Sequence, residues 1–353
     1  MLGQLHQLLT GIPEDIRAGN ARGAWHRTLR SWLLDRVAVP FSRCRGPLQA
    51  DTFGILMYHR VARPIRGLPT PSWSVTPEQL RGQLHGLLER GFQAWPLEKV
   101  LAYRVHGQKL PPRTFAVTFD DGYENNLTFA EPVLRELKVP ATIFLATRYL
   151  DSRSPFPFDD WTAAGSHAAA EEMWRPLTKD QCRELRDSGL VSLGAHTHTH
   201  GDFRNRPIEF AQDLADCLEV LSVDLGIDRP MLALPYGCRS QGTAGPMFSQ
   251  IAEQVGCSTC LSTESGVLRL SDDPYAWGRI EASSRDTAAT LAAKLDGWGD
   301  QVRATLRVAK RAWAGSLPSP FRPQTGVSTT THPALPLEDE ILELAATAAA
   351  EPC

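Results

Sequence analysis

Two clusters of residues have the types and spacing to do chemistry. The stretch GAHTHTHGDF, residues 194–203, puts His196, His198 and His200 on alternate positions, and TFDDG sets Asp120 beside Asp121. His196 and His200 are four apart, so one helical turn would bring both imidazoles to one side and leave His198 pointing elsewhere. Side chains of neighbours at a strand end diverge, so one aspartate could bind a metal while the other faces a substrate. Two imidazoles, one carboxylate and open positions form the donor set of a catalytic zinc-type centre, which acidifies a water and polarises a carbonyl. The free carboxylate would then be the general base. Each cluster alone has a plainer use, since paired aspartates also cap turns. Their shared position at strand ends is what favours the catalytic reading.

The elements that must position them follow a strand–helix rhythm from Gly54 onward. ILMYHRV reads as a buried strand, followed by a helix in TPEQLRGQLHGLLERG with Thr76 as N-cap, Pro77 in the first turn and Gly91 past the end. Strands are expected in TFAVTFDDG, ATIFLAT, LVSLGAHT, MLALPYG and CSTCLST, with helices between them. Residues 151–176 read as a long aromatic- and proline-rich loop. This alternation predicts an α/β fold with a parallel, closed sheet. In such folds the chemistry sits at the carboxyl ends of the strands. His59, Asp120–Asp121, His196–His200 and Pro235–Tyr236–Gly237 all lie at such ends.

The 353 residues exceed the usual size of a single core. The expected division is a basic amphipathic extension over 1–50, a catalytic domain over 51–300, and a C-terminal helix with a Pro/Ala-rich tail, partly disordered, over 301–353. A net charge of −3 gives no reason to expect a nucleic-acid partner. Cys257 and Cys260 form a lone CxxC without a second ligand pair, which reads as structural. Seven scattered cysteines, no basic-then-apolar start and no membrane-length apolar run lead to the expectation of a cytoplasmic protein. The stretch 17–45 carries seven arginines and one acid, Asp35, with Trp25, Leu29, Trp32 and Leu33 at helical spacing. It reads either as a helix docked on the main domain or as a peripheral contact with the inner face of an anionic membrane.

TFDDG at 118–122, HTHTH at 196–200 and LPYG at 234–237 resemble the first, second and third motifs of the polysaccharide deacetylases with the NodB homology domain, carbohydrate esterase family 4. The resemblance covers roughly residues 51–285 and implies a distorted (β/α) barrel with about seven parallel strands. It implies removal of acetyl groups from N-acetylated sugars of a polysaccharide or glycan, with a divalent metal, Zn2+ foremost. By the same resemblance Asp120 is the base, Asp121, His196 and His200 are metal ligands, and Thr197 and Thr199 brace the histidine loop. Tyr236 would offer its backbone N–H to the oxyanion, beside Pro235 at the substrate. The family's third-motif arginine is missing from MLALPYG, and Arg279 in WGRIEAS is a candidate substitute. LMYHRV at 56–61 resembles the first strand of the circularly rearranged exopolysaccharide deacetylase branch, in which a histidine there is the general acid; here that is His59. Phe156, Phe158, Trp161 and Trp174 could stack on sugars from the long loop, or pack among themselves. No obligate protein partner is implied. Two other readings remain open: a deacylase of a lipid-linked sugar at the cytoplasmic membrane face, and a glycan-binding protein with a dead site, for which the missing arginine is the best support.

Overall fold

The computed structural model describes residues 34–49, 51–68, 70–159, 171–301 and 304. Seven parallel strands carry the architecture: β1 (Thr52–Tyr58), β2 (Thr114–Phe119), β3 (Ala141–Leu145), β4 (Val191–Ala195), β5 (Met231–Ala233), β6 (Thr259–Leu261) and β7 (Ile280–Glu281). Each pairs with the next from β1 to β6, the longest ladder running from Phe53↔Thr114 to Tyr58↔Phe119. The ring closes because β7 pairs with β1 at Leu56↔Ile280 and Met57↔Glu281, while Trp277, just before β7, bridges Leu261 of β6. The closed, mostly parallel sheet is the distorted barrel expected. The expectation did not include the antiparallel strand Leu268–Arg269 on the start of β1, or the small separate sheet of Arg60–Val61 and Ser74–Val75.

Eight helices among the described residues wrap or flank this ring: α1 (Val39–Arg45), α2 (Pro77–Glu89), α3 (Leu97–Val105), α4 (Glu131–Leu137), α5 (Lys179–Asp187), α6 (Pro207–Leu225), α7 (Pro246–Val255) and α8 (Ala288–Leu295). Helix α2 starts as the sequence suggests. Thr76 Oγ1 accepts the Gln79 N–H at 3.1 Å and Gln79 Oε1 accepts the Thr76 N–H at 2.8 Å, a reciprocal cap. Thr178 and Gln181 repeat it at α5. Helix α1 docks on α8: Phe41 stacks on Trp298 at 5.2 Å, and Ser42 donates to the Asp296 carboxylate at 2.7 Å. Residues 1–33 of the predicted basic extension, the tail beyond 304 and Trp161 lie outside the described residues. Among the described residues no helix is long and apolar enough to cross a membrane. Cys257 and Cys260 are buried, free thiols of the core.

The period-two alternation of strands sorts the core into two faces. Phe53, Ile55, Ala116, Phe144, Met231, Ala233, Leu261 and Trp277 form the inner cluster. Leu56, Tyr58, Val117, Phe119, Ile143 and Leu193 belong to the outer one, under the helices. Counting on by twos, the inner face continues to His59, Asp120, His196 and Arg279. The barrel parity therefore turns four polar side chains inward, three of them at one mouth.

Gly194 makes room for this filling. A Cβ there would lie 2.6 Å from Phe144 Cδ1 and 2.8 Å from the Met231 carbonyl oxygen. Gly194→Ala should destabilise the fold by about 1–3 kcal/mol through overpacking, read as a lower denaturant midpoint. An unchanged midpoint would show that the Phe144 ring yields freely.

Candidate active site

Asp121 follows β2 and would share the outward parity of Phe119. Its backbone instead turns into the left-handed region, φ 74°, and Gly122 follows with φ 85°. The Ala146 N–H donates to the Asp121 carbonyl at 3.3 Å and holds the turn against β3. A Cβ on residue 122 would lie 2.8 Å from Leu145 Cδ2, so this close approach requires glycine. The turn swings the Asp121 carboxylate back to the mouth, where Oδ1 lies 3.4 Å from Nε2 of both His196 and His200.

The histidine segment corrects an expectation. It is not a helical turn; past β4 the chain is irregular, with Thr197 at φ 63° and His200 at φ 54°. Two left-handed residues three apart fold the loop so that the imidazoles meet. Thr197 Oγ1 accepts the His200 N–H at 3.1 Å. Asp213, on α6, accepts the N–H of His198 at 2.6 Å and both the N–H and hydroxyl of Thr199. His198 turns away to Thr147 Oγ1 at 2.9 Å. Asp213 was not anticipated: an acid in the middle of an amphipathic helix carries no sign of its long-range role.

His196 Nδ1 lies 2.7 Å from the Ala233 carbonyl oxygen, so Nδ1 holds a proton and Nε2 is the nitrogen turned to Asp121. The donor atoms of Asp121, His196 and His200 all lie within 4.8 Å of one another. Burial opposes the Asp121 charge, but hydrogen bonds from the two histidines outweigh it and hold the carboxyl well below its usual range. Two imidazole nitrogens and an ionised carboxylate, converging, with His196 held through Nδ1 and His200 by the Phe158 ring, fit a divalent ion of zinc type.

Asp120, 2% exposed, keeps the inward parity. Arg279 grips it with both arms of its guanidinium, Nη1 to Oδ1 at 2.5 Å and Nη2 to Oδ2 at 2.8 Å. Arg279 is fully buried; its Nε donates to the Ser262 carbonyl at 3.3 Å and it lies 5.6 Å from the Phe144 ring. With its donors spent inside the barrel, Arg279 braces Asp120. Burial would raise the Asp120 carboxyl, yet Arg279, with His196 and His59, brings it below the usual value. His59 Nε2 sits 3.8 Å from Asp120 Oδ2. Burial lowers the His59 imidazole from its ordinary value, against the pull of Asp120 and Asp121.

His59, Asp120, Asp121, His196 and His200 line one cleft of about 480 Å³, together with Trp73, Phe158 and Tyr236. Tyr236 sits at φ 60° with its ring 5.1 Å from that of His200. Pro235 faces a small void with Phe203, Phe210 and Phe248. Of the long-loop aromatics, Phe158 stacks on His200 at 3.9 Å, Phe156 is buried against Tyr123 and Tyr149, and Trp174 packs by Ala62 and Met173. Trp73 was missed. It stacks on His59 at 5.0 Å from a loop whose sequence, PSWS, shows no periodicity.

Residues 107–258 match the family model described as polysaccharide deacetylase. Over 239 residues the chain is 23% identical to a poly-beta-1,6-N-acetyl-D-glucosamine N-deacetylase of Staphylococcus epidermidis, covering 65% of this chain and 75% of that one. Over 124 residues it is 31% identical to the Escherichia coli K12 protein of the same name, but this spans 35% of the chain and only 18% of that longer relative. In three dimensions it is similar to IcaB from Ammonifex degensii, with TM-score 0.56 and 23% identity, covering 70% of this chain and 99% of that one, a likeness of fold. The matched segment contains the aspartate pair, the histidine loop and the Pro235–Tyr236 turn, and the barrel around them is similar to that of IcaB: residues 107–258 belong to the polysaccharide deacetylase family.

Proposed function

We propose that this chain is a metal-dependent hydrolase that removes acetyl groups from N-acetylated sugars of a glycan, with a poly-N-acetylglucosamine as the best candidate substrate. The observation that carries the reading is the meeting of Asp121, His196 and His200 in one cleft with the Arg279-held Asp120 and with His59. A divalent ion held by the three ligands, with Zn2+ as the first choice, would supply Lewis acidity that acidifies water and polarises the acetyl carbonyl. Asp120, kept ionised by Arg279, accepts the proton of the attacking water. The backbone N–H of Tyr236 meets the negative charge developing on the carbonyl oxygen. His59 gives a proton to the departing sugar nitrogen, which otherwise leaves as a poor anionic group. The imidazole is suited to this because burial makes its protonated form a stronger acid than usual. The names of the Staphylococcus epidermidis and Escherichia coli relatives support the substrate class. The dead-site alternative loses its main support, since a guanidinium does hold Asp120 although it comes from ahead of β7.

Acetate release from N-acetylated glucosamine oligosaccharides, measured with metal content, tests the roles. Asp120→Asn should keep its metal and lose about 10²–10⁴-fold in turnover; loss of the metal instead would exchange the roles of the two aspartates. His59→Ala should also keep the metal and fall about 10²-fold or more, and full activity would remove it as the acid. Asp213→Ala frees the histidine loop and should weaken metal affinity about 10–100-fold, read by competition with a chelating dye. Unchanged affinity would show that Thr197 alone is enough to hold the loop.

A further inference from the structure

Among the described residues, the exposed large aromatic side chains are Trp73 and Tyr236, and both line the cleft. Trp73 is 52% exposed and has φ 56°, the left-handed region that a bulky aromatic rarely adopts. The conformation is held from both directions. The Trp73 carbonyl accepts the Arg60 N–H at 3.2 Å, and the next residues pair with the strand after His59 at Arg60↔Ser74 and Val61↔Val75. This small sheet ties the loop to the end of β1, and the left-handed turn sets the indole against the His59 ring, 29° from parallel. Backbone strain held in place beside a reactive group marks a position with a task.

We infer that Trp73 is the platform on which the pyranose carrying the departing nitrogen stacks, and so a residue that selects sugars over small acetylated amides. The inference rests on the deacetylase reading above. The sugar nitrogen must come within hydrogen-bond reach of His59 to take its proton, and the wall of the cleft next to His59 is the indole. A pyranose offers an apolar C–H face of matching size, and the indole face is electron-rich. Tyr236 lies instead by His200, one of the metal ligands, where the acetyl carbonyl is handled. The sugar ring and the acetyl group thus meet different walls. An acetylated amine without a ring face finds the metal ligands and Asp120 but no platform.

The test uses the full chain, with Trp73→Ala and Trp73→Phe compared with wild type on N-acetylated glucosamine oligosaccharides and on 4-nitrophenyl acetate, which has no sugar and needs no protonated leaving group. Trp73→Ala should raise KM for the oligosaccharides about tenfold or more, a larger loss than on the aryl ester, and Trp73→Phe should restore most of it. An unchanged KM overturns the platform. So does a fall in kcat alone, which would mean that the indole serves only to hold His59, and so does an equal loss on both substrates. Wild-type protein that cleaves the aryl ester but no oligosaccharide overturns the glycan reading itself, and the platform with it.

Discussion

A carboxylate shut inside a barrel must be paired, and the pairing of Asp120 with Arg279 is the interaction on which the site depends. Both side chains are almost wholly shielded from water. Removing one partner of such a pair leaves an uncompensated buried charge, at about 3–5 kcal/mol. Arg279 precedes β7, low in the ring, and reaches Asp120 at the mouth through the interior. That path exists only when β7 has closed on β1 and Trp277 has bridged β6. Gly278, whose missing Cβ lets the backbone press on the Glu264 carbonyl, belongs to the same closure. The base is therefore ionised and aimed only in the finished barrel, so folding and catalytic competence are coupled through one guanidinium.

Two adjacent aspartates obtain different surroundings from a single backbone turn. Asp120 keeps the strand parity and meets the guanidinium. Asp121, rotated by its positive φ, meets two imidazoles. Both carboxyls lie below their usual range despite burial, for different reasons: cationic pairing in one, histidine hydrogen bonds in the other. Identical groups are thus divided between proton transfer and ligation by geometry alone.

The legible part of this protein is the part written in local pattern. Alternating strand and helix signals, with caps such as Thr76–Gln79, indicated the barrel, and strand-end positions gathered His59, Asp120, Asp121, His196 and His200 at one mouth. Contacts made across long sequence separations were not legible. Asp213 bracing the histidine loop depends on how α6 packs. Trp73 over His59 depends on a two-strand sheet too short to leave a periodic trace. The His196–His200 spacing pointed to a helix because spacing cannot distinguish a helical turn from a loop with two left-handed residues. Arg279 could be named as a candidate from its charge, but whether it touched Asp120 or solvent depended on the closing strand.

The left-handed residues explain why so rigid a frame surrounds a small cleft. Asp121, Thr197, His200, Tyr236 and Trp73 all carry positive φ without being glycine. Each such conformation is disfavoured by roughly 1–3 kcal/mol, so a loose loop would relax out of it and the ligands would separate. The opposing hold is specific at most of these points: β3 on Asp121, Asp213 and α6 on the histidine loop, the small sheet on Trp73. A glycine would adopt these angles more easily, but it would remove the carboxylate, imidazole or ring that the angle exists to aim. The site therefore retains strained side-chain-bearing residues where chemistry needs them, and uses glycine at Gly122, where the turn needs both space and a positive φ, and at Gly194, where it needs space.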